Sequence, residues 1–181
     1  DQTELKKLLS SIAPSGIIHM AASNISSGRR DSDDVVLKTN VIGTKCLLEA
    51  AADLNYDFFL NTGSFLEYGV KNHSIKEDEV CEAPELYSIS KLSASLLAQS
   101  AGRRSGKPIV SFRLFTPYGP RVQEGRFVYE VCSRALSGED INLTEPSVAR
   151  DFIFVEDIVD LYMEAMDKAR LYPGEIFNAG T

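Results

Sequence analysis

A tyrosine and a lysine stand four residues apart in the sequence, at Tyr87 and Lys91. If the segment Leu86–Ala101 is a helix, as its apolar spacing predicts, both side chains lie on one face with about 5–6 Å between their Cβ atoms. An ammonium beside a phenol favours the phenolate, so the pair predicts a tyrosine pKa below the usual value of about 10. Carbonyl–alcohol chemistry needs such a proton donor and acceptor. The same spacing is also typical of an exposed Tyr–Lys pair that has no function.

Ser64 is a second candidate, because it follows the predicted strand Asp57–Thr62 and its hydroxyl would lie near the carboxyl end of that strand. Ligands of parallel sheets bind outside the carboxyl ends of the strands. The loops after His19 and after Leu114 meet the same condition. We therefore predict a site at the edge of the sheet where these loops meet the start of the Tyr87 helix.

The elements that must hold this site alternate along the chain. Buried apolar runs joined by segments of helical periodicity indicate an α/β fold, a doubly wound parallel sheet with helices on both faces. The predicted strands are Gly16–Ala22, Asp57–Thr62, Lys107–Leu114 and Glu175–Gly180, and the predicted helices are Glu4–Ile12, Asp34–Asp53, Leu86–Ala101, Phe127–Ser137 and Ile158–Ala169. We also predict a short strand at Ile141–Leu143, a surface loop at 23–33, and an irregular loop at Phe115–Pro120, which contains two prolines and a glycine.

Some residues near the predicted site have two interpretations. Ala21 and Ala22 follow the first strand, where small side chains either let a flat ligand approach the backbone or simply pack. Asn40 and Thr44 lie on or beside the apolar face of a helix. Because buried polar groups need hydrogen-bond partners, they either hold a neighbouring loop or help to form a site.

His19 and Arg150 are the remaining candidates. His19 stands at the end of a strand and is most simply explained as hydrogen-bonded to the backbone. Arg150 precedes the apolar run Phe152–Val155, where nothing local explains a guanidinium. It either clamps an anion or pairs with Asp151.

The composition is that of one globular domain with a sizeable core, since 44% of the 181 residues are hydrophobic and 25% are charged. A net charge of −7 without a cluster of basic residues argues against binding to nucleic acid. The three cysteines are widely spaced and form neither a zinc pattern nor a disulfide framework, so we predict no metal site and a reducing, cytoplasmic setting. No apolar run reaches membrane-spanning length, and we expect no membrane partner.

Taken in order, short motifs across nearly the whole chain resemble the extended short-chain dehydrogenases/reductases, in particular the NAD-dependent epimerase/dehydratase family that acts on nucleotide sugars. Each motif is weak alone, and their common order makes the resemblance specific. The matching segments are Ile18–Ala22, Asn40–Thr44, Thr62–Ser64 with Tyr68–Gly69, Tyr87–Lys91, Arg113–Pro120, Arg150–Asp157 and Phe177–Gly180.

The resemblance implies a catalytic triad of Ser64, Tyr87 and Lys91. Tyr87 would exchange the proton of a sugar hydroxyl while the hydride moves to or from the nicotinamide. Lys91 would bind the nicotinamide ribose and keep Tyr87 acidic, and Ser64 would hold the sugar oxygen. This is the chemistry of an NAD(P)-dependent nucleotide-sugar epimerase or reductase.

The resemblance also implies where the ligands lie. NAD or NADP would contact Ala21, Ala22, Tyr87, Lys91 and the loop residues Phe115, Thr116 and Pro117. A nucleotide-sugar substrate would contact Ser64 and Thr116, and Arg150 would grip its diphosphate. Residues 1–120 would form a partial dinucleotide-binding region of Rossmann type, and residues 121–181 a partial substrate-binding region interleaved with the last strands of the sheet. The full-length protein would be a homodimer.

Several family features differ or are missing. The glycine-rich phosphate turn and the first strands would precede Asp1, so we expect a fragment, and the residue that chooses NAD or NADP would also lie there. Thr116 stands where the family usually has asparagine. Phe65 and Leu66 replace the acidic pair of the 4,6-dehydratases, which counts against dehydration. The segment Asn61–Ser64 is similar to the corresponding segment of reductases that act on nucleotide-linked 4-keto-6-deoxy sugars.

The sequence leaves three functions open. The first is a nucleotide-sugar epimerase, which oxidises and reduces one carbon with a tightly held cofactor. The second is a reductase of a nucleotide-linked 4-keto-6-deoxyhexose, which uses the same side chains with an exchangeable cofactor. The third is a non-catalytic relic of the fold or a binding module, which intact Ser64, Tyr87 and Lys91 argue against.

Overall fold

Helices and strands alternate along the part of the chain that the structure, a computed structural model, describes: residues 2–23, 31–143 and 149–181. In chain order the elements are α1 (Gln2–Ile12), β1 (Gly16–His19), α2 (Asp33–Leu37), a π-helical turn (Lys38–Gly43), α3 (Thr44–Ala51), β2 (Phe58–Ser64), a 3-10 turn (Phe65–Tyr68), α4 (Leu86–Ser105), β3 (Ile109–Leu114), β4 (Thr116–Tyr118), α5 (Phe127–Ser137), β5 (Phe152–Phe154), α6 (Val155–Lys168), a second 3-10 turn (Ala169–Leu171) and β6 (Ile176–Ala179). The loop predicted at 23–33 lies largely outside the described residues.

The central sheet has four strands in the order β1–β2–β3–β6, and every neighbouring pair is parallel. Ser64 pairs with Leu114, and Leu114 pairs with Ala179, so the carboxyl ends of three strands are level with one another. The predicted parallel sheet is confirmed. Its carboxyl edge is where the predicted site residues must meet.

Helices cover both faces of this sheet, as predicted. On one face, α1, α3 and α4 pack over a core that includes Phe59 and Ile109. On the other face, α6 packs over Leu60, Val110 and Phe112. Consecutive residues of a strand point to opposite faces, so β2 contributes a fully buried side chain to each core, which stabilises the fold by about 1.5–3 kcal/mol per side chain.

The helix α4 extends beyond its predicted end at Ala101 and stops at Gly106, whose φ of 68° lies in the left-handed region. A glycine adopts that conformation without a steric penalty, so it is a common helix terminator. At the other end of α4, the main-chain N–H of Glu85 donates to the hydroxyl of Ser88 at 3.1 Å. This cap fixes the first turn, which carries Tyr87.

The structure corrects two local predictions. Part of the segment predicted as an irregular loop is a strand, since β4 pairs with β5 in a separate two-stranded parallel sheet. Pro117 lacks an N–H, but it is tolerated because a two-stranded sheet has only edge strands. The strand predicted at Ile141–Leu143 is wrong: these residues have no regular structure, because none of the described strands pairs with them.

Two predicted helices differ in detail. The helix predicted at Asp34–Asp53 is one continuous helical run from α2 to α3, but its middle is the π-helical turn Lys38–Gly43. Helix α6 begins at Val155, so Glu156 and Asp157 lie in its first turn, where carboxylates oppose the positive end of the helix dipole. Within the described ranges, no helix combines the length and the apolar character that crossing a bilayer requires.

Candidate active site

Ser64 is the last residue of β2 and begins the 3-10 turn that follows. Its side chain is buried, and its hydroxyl oxygen accepts a hydrogen bond from the N–H of Leu66 at 3.3 Å. Its own N–H donates to the carboxylate of Glu67 at 2.8 Å. These reciprocal bonds form a helix N-cap that turns the chain at the carboxyl edge of the sheet. In the described part of the chain the Ser64 hydroxyl proton has no acceptor, so it can be donated to a ligand.

Tyr87 and Lys91 share one face of α4, which packs on β2 and β3. Lys91 is buried, and its ammonium donates a hydrogen bond to the main-chain carbonyl of Thr62. Tyr87 is half-buried, and residues 2–23, 31–143 and 149–181 provide no hydrogen-bond partner for its hydroxyl. The contact with Thr62 brings this face of α4 to the end of β2, beside Ser64.

The structure corrects the predicted direction of the Tyr87 pKa. Burial raises the pKa of Tyr87 above its usual value, and the negative charge of Glu67 raises it further, while Arg126 opposes them. Burial also lowers the pKa of Lys91, and Glu67 partly offsets that effect. The predicted lowering fails because the Lys91 ammonium lies against a main-chain carbonyl rather than the phenol. Glu67 accepts a hydrogen bond from Ser95, which lies one turn after Lys91 on the same helix.

Asn40 joins the loop after β1 to α4. Its side-chain oxygen accepts from the N–H of Ser23 at 2.7 Å, and its amide donates to Ser23 O at 3.0 Å and to Ser90 Oγ at 2.9 Å. Ser90 in turn donates to the carbonyl of Tyr87 at 2.7 Å. Of the two interpretations of Asn40, the structure supports the first, a buried amide that holds a neighbouring loop.

The sequence predicted a hydrogen bond between His19 and the backbone, but in the structure His19 contacts a side chain. Its Nε2 lies 2.8 Å from the hydroxyl of Thr44, and that hydroxyl donates its proton to the carbonyl of Asn40 at 2.7 Å. The hydroxyl oxygen must therefore accept from His19, which places the ring proton on Nε2. Burial, and to a lesser extent the charge of Lys91, lowers the pKa of His19 from 6.5 to about 4, so the ring is neutral at physiological pH.

A buried ionic network behind Ser64 was not predicted. The carboxylate of Glu67 accepts from Arg113 Nε at 2.8 Å, and both side chains are almost completely buried. Arg113 also donates to the hydroxyl of Tyr68 at 2.7 Å, and this hydroxyl donates to Asn178 Oδ1 at 2.7 Å. The sequence contained a signal, because Arg113 interrupts the apolar strand Ile109–Leu114 and a charge there requires a buried partner.

The loop after β3 lies at the same edge of the sheet. Phe115 stacks on Phe65, with ring centroids 5.5 Å apart, and donates its N–H to Ala179 O at 3.0 Å. Thr116 is half-buried and donates its N–H to Asp151 O at 3.0 Å, and Pro117 is exposed. These residues border the site from the side opposite β1.

Arg150 lies above this aromatic pair, since its guanidinium carbon is 5.8 Å from the centroid of the Phe65 ring. The carboxylate of Asp151 instead accepts from the N–H of Thr181 at 3.1 Å and from its hydroxyl at 2.9 Å. The sequence left open an ion pair between Arg150 and Asp151, and the structure does not contain this pair. The guanidinium is exposed next to the residue that follows Ser64.

The donors and small residues at this edge fit a dinucleotide. An ammonium has three N–H donors, and only the Thr62 carbonyl accepts from Lys91 in the described part of the chain, so the remaining donors suit ribose hydroxyls. Ala21 and Ala22 are exposed just after β1, and each carries only a methyl group as its side chain. A flat ligand can therefore lie against the sheet edge.

The chain is similar to known proteins of one family. A family model described as the NAD dependent epimerase/dehydratase family matches residues 1–180. The low-salt glycan biosynthesis protein Agl12 of Haloferax volcanii is 28% identical over 170 residues, which are 91% of this chain and 53% of that protein. A probable UDP-glucuronate 4-epimerase of Rhizobium meliloti is 26% identical over 163 residues, 88% of this chain and 48% of that protein. The chain thus spans about half the length of the curated relatives it matches.

Solved structures give the same result. The UDP-glucuronic acid 4-epimerase from Bacillus cereus, in complex with UDP-glucuronic acid and NAD, superposes with a TM-score of 0.83 and 25% identity. The match covers 99% of this chain and 58% of that chain. Because the family model covers almost every residue and the folds agree, the predicted family is confirmed, and the chain belongs to the NAD-dependent epimerase/dehydratase family.

Proposed function

We propose that this chain carries the proton-transfer residues of an NAD(P)-dependent enzyme that acts on nucleotide sugars, as an epimerase or a reductase. One observation carries the proposal: the contact of Lys91 with Thr62 brings the Tyr87 face of α4 to the end of β2, where Ser64 lies. In parallel sheets this edge is where ligands bind. A tyrosine, a buried ammonium and a serine hydroxyl can together move the proton of a sugar hydroxyl.

Each residue has a distinct role. Tyr87 takes the proton of the reacting sugar hydroxyl and returns it, since its own hydroxyl has no hydrogen-bond partner among the described residues. Ser64 donates its hydroxyl proton to the same sugar oxygen and orients it. Lys91 is fixed by Thr62 and directs its remaining N–H donors to ribose hydroxyls. When bound, NAD or NADP supplies the site that accepts or returns the hydride.

The dinucleotide would be held along the carboxyl edge of the sheet. Ala21 and Ala22 would border it, and the loop Phe115–Pro117 would meet its nicotinamide end. The bonds from Asn40 to Ser23 and Ser90 support this role, because they keep the Ala21–Ala22 loop at a fixed distance from α4. The Bacillus cereus relative was crystallised with NAD, which supports the choice of cofactor.

The nucleotide sugar would lie beyond the nicotinamide, towards the small β4–β5 sheet and α5, which would form part of a substrate-binding region. Arg150 would clamp the diphosphate, because its guanidinium is exposed above Phe65 and arginine offers permanently charged, multidentate donors. Ser64 and Thr116 would contact the sugar. Dehydration is disfavoured, because Phe65 stacks on Phe115 where the dehydratases carry an acid, and a phenyl ring cannot transfer a proton.

The test uses the full-length protein with UDP-glucuronic acid or UDP-glucose and NAD, and follows the sugar products by proton NMR. An epimerase interconverts two sugars without net change in the cofactor. A reductase instead consumes added NADH or NADPH when given a nucleotide-linked 4-keto-6-deoxyhexose, which absorbance at the nicotinamide band measures. Absence of turnover in both assays, with dinucleotide and UDP still bound, would favour a binding module.

We also propose that the full-length protein forms a homodimer through one face of its helices. Val35 and Ile42 lie seven residues apart on the α2 run, and Ile89 and Leu96 lie seven apart on α4. All four side chains are 44–50% exposed, and the two helical runs pack side by side. The spacing of seven residues puts Ile89 and Leu96 on one stripe of α4, and Val35 and Ile42 add exposed apolar surface on the neighbouring helical run. A second copy of the same face is a matching partner, because an isologous interface pairs like surfaces.

A further inference from the structure

Glu67 is a buried carboxylate that the proposed proton transfer does not use. Its side chain is 0% exposed and accepts hydrogen bonds from the N–H of Ser64 at 2.8 Å, from Ser95 Oγ at 2.9 Å and from Arg113 Nε at 2.8 Å. These donors belong to β2, α4 and β3. The carboxylate is therefore the point where three elements around the candidate site are joined.

Stability alone does not explain this ion pair. Removing two charges from water costs several kcal/mol per ion, and apolar residues of the same volume often stabilise a fold equally well or better. An apolar pair could not, however, accept the N–H of Ser64. That N–H belongs to the residue whose hydroxyl faces the proposed substrate, so the ionic pair has a function at that position which packing cannot replace.

The carboxylate also lies directly against the backbone before Ser64. A Cβ added at Gly63 would be 2.7 Å from Glu67 Oε1 and 2.9 Å from Ser95 Oγ, which is closer than real Cβ atoms approach other atoms. A glycine at this position is therefore needed for Glu67 to reach the peptide of Ser64. The close approach leaves the Ser64 peptide little freedom to rotate.

Arg113 holds the carboxylate from the other side. Its guanidinium lies 4.4 Å from the centroid of the Tyr68 ring and donates to the Tyr68 hydroxyl at 2.7 Å. That hydroxyl donates to Asn178 on β6 at 2.7 Å. The position of Glu67 is thus fixed relative to β2, β3 and β6.

We propose that Glu67, held by Arg113, is a positioning residue for Ser64: it fixes the Ser64 peptide and with it the direction of the serine hydroxyl. The inference deepens the proposed function and rests on it where catalysis is concerned. The orientation of the Ser64 peptide itself does not depend on any reaction. The two parts can therefore be tested separately.

The first test measures hydrogen exchange at the Ser64 amide in the full-length protein, without ligands. In Glu67→Gln the amide group can accept from only one of the two N–H donors, Ser64 or Arg113, because its other end is itself a donor. The charged bond to Arg113 is the stronger of the two, so the Ser64 N–H loses its acceptor. We expect the Ser64 amide to exchange at least about tenfold faster than in the wild type.

The control is Ser111→Ala, which removes another buried hydroxyl of the same sheet, 3.1 Å from the amide nitrogen of Asn61. It should lower the melting temperature and leave Ser64 exchange unchanged. Unaltered Ser64 exchange in Glu67→Gln would overturn the proposal. If Glu67→Gln does not fold, Ser95→Ala replaces it, because Ser95 donates to the same carboxylate oxygen as Ser64. Ser95→Ala must then raise Ser64 exchange more than Ser111→Ala does, and equal exchange in the two variants overturns the proposal.

The second test is a double-mutant cycle with UDP-glucuronic acid and NAD as the probes. Glu67→Gln should lower kcat by about 10- to 100-fold, the usual effect of a misplaced reacting group, with KM little changed. In a Ser64→Ala background the same substitution should lower kcat less than about twofold, because the residue it positions is gone. A full loss in both backgrounds would identify a general structural role and overturn the proposal. If the wild type turns over neither this substrate nor the keto sugar of the reductase assay, the proposed function fails, and the exchange test still decides the role of Glu67.

Discussion

Lys91 donates a hydrogen bond to the main-chain carbonyl of Thr62, two residues before Ser64. The acceptor is a backbone atom of the central strand β2, so no side-chain substitution on that strand can remove it. Because Lys91 also lies one helical turn after Tyr87, this contact sets the distance between the acid–base helix and the end of β2.

Tyr87→Phe removes the only proton that the phenol can transfer and keeps the ring. In the full-length protein, turnover of UDP-glucuronic acid should fall at least about 10²-fold, the usual contribution of a general acid–base group. Binding of the substrate, measured by calorimetry, should change little. Tyr172→Phe, which removes the hydroxyl of an exposed tyrosine that precedes β6, should have no effect on turnover. Near-normal turnover in Tyr87→Phe would contradict the assigned role.

Arg150→Ala removes the guanidinium above Phe65. If it clamps a diphosphate, binding of UDP should weaken by about 1.5–3 kcal/mol, the effect of losing hydrogen bonds to a charged group. The melting temperature should hardly change, since Arg150 is exposed and forms no ion pair within the described ranges. Arg104→Ala removes an equivalent charge from the far end of α4 and should leave UDP binding intact. A less stable Arg150→Ala protein with normal UDP affinity would exclude the clamp.

His19 gives the folded protein a defined pH dependence. Its pKa falls from 6.5 in the unfolded chain to about 4 in the fold, so its contribution to stability is complete above pH 6.5 and is lost as the pH falls through about 4. After allowance for the partial exposure of the ring, the loss should be at most about 2 kcal/mol. Urea unfolding at a series of pH values between 7 and 4 measures it.

His19→Gln is the informative variant, because glutamine can still donate to Thr44 but does not titrate. Its stability should fall less steeply with acid than that of the wild type. Parallel curves for wild type and His19→Gln would show that another group carries the pH dependence.

Ile89→Glu combined with Leu96→Glu places two carboxylates on the helical face proposed to pair between subunits. Charges at a desolvated interface are strongly unfavourable, so the full-length protein should become a monomer. Light scattering after size-exclusion chromatography measures the change. Leu136→Glu alters a 90% exposed leucine on α5 and should leave the oligomeric state unchanged. A wild-type protein that is monomeric at micromolar concentration would contradict the proposed dimer.

The fold was predictable where one physical signal dominates. The strands β2 and β3 begin with the apolar runs Phe58–Leu60 and Ile109–Val110, and no proline interrupts α4, so all three elements were found from the sequence. The strand β4 was missed because Pro117 and Gly119 are typical of loops. Its pairing with β5 depends on residues far along the chain, which local patterns do not reveal.

The candidate site was predictable in its residues and less so in its electrostatics. The spacing of Tyr87 and Lys91 identified the pair, but the direction of the tyrosine pKa depends on which atom the ammonium contacts. The sequence cannot reveal this contact, because the acceptor is a main-chain atom, the carbonyl of Thr62. Glu67 and Arg113 could have been found, since a charge inside an apolar strand requires a partner. Their pairing with each other could not have been predicted, because 46 positions separate them in the sequence.

The helical run from α2 to α3 contains the π-helical turn Lys38–Gly43, so it cannot lose a residue there without losing this turn. A π-turn holds one residue more than a regular helical turn, and losing that residue would rotate everything beyond it by about 100°. Asn40 and Thr44 could not then both keep Ser23 and His19 as partners. If each residue from 38 to 43 is deleted in turn, almost none of the variants should therefore give a folded protein. Deletions at the exposed residues Asn72, His73 and Ser74, which lie outside any helix or strand, should be tolerated far more often.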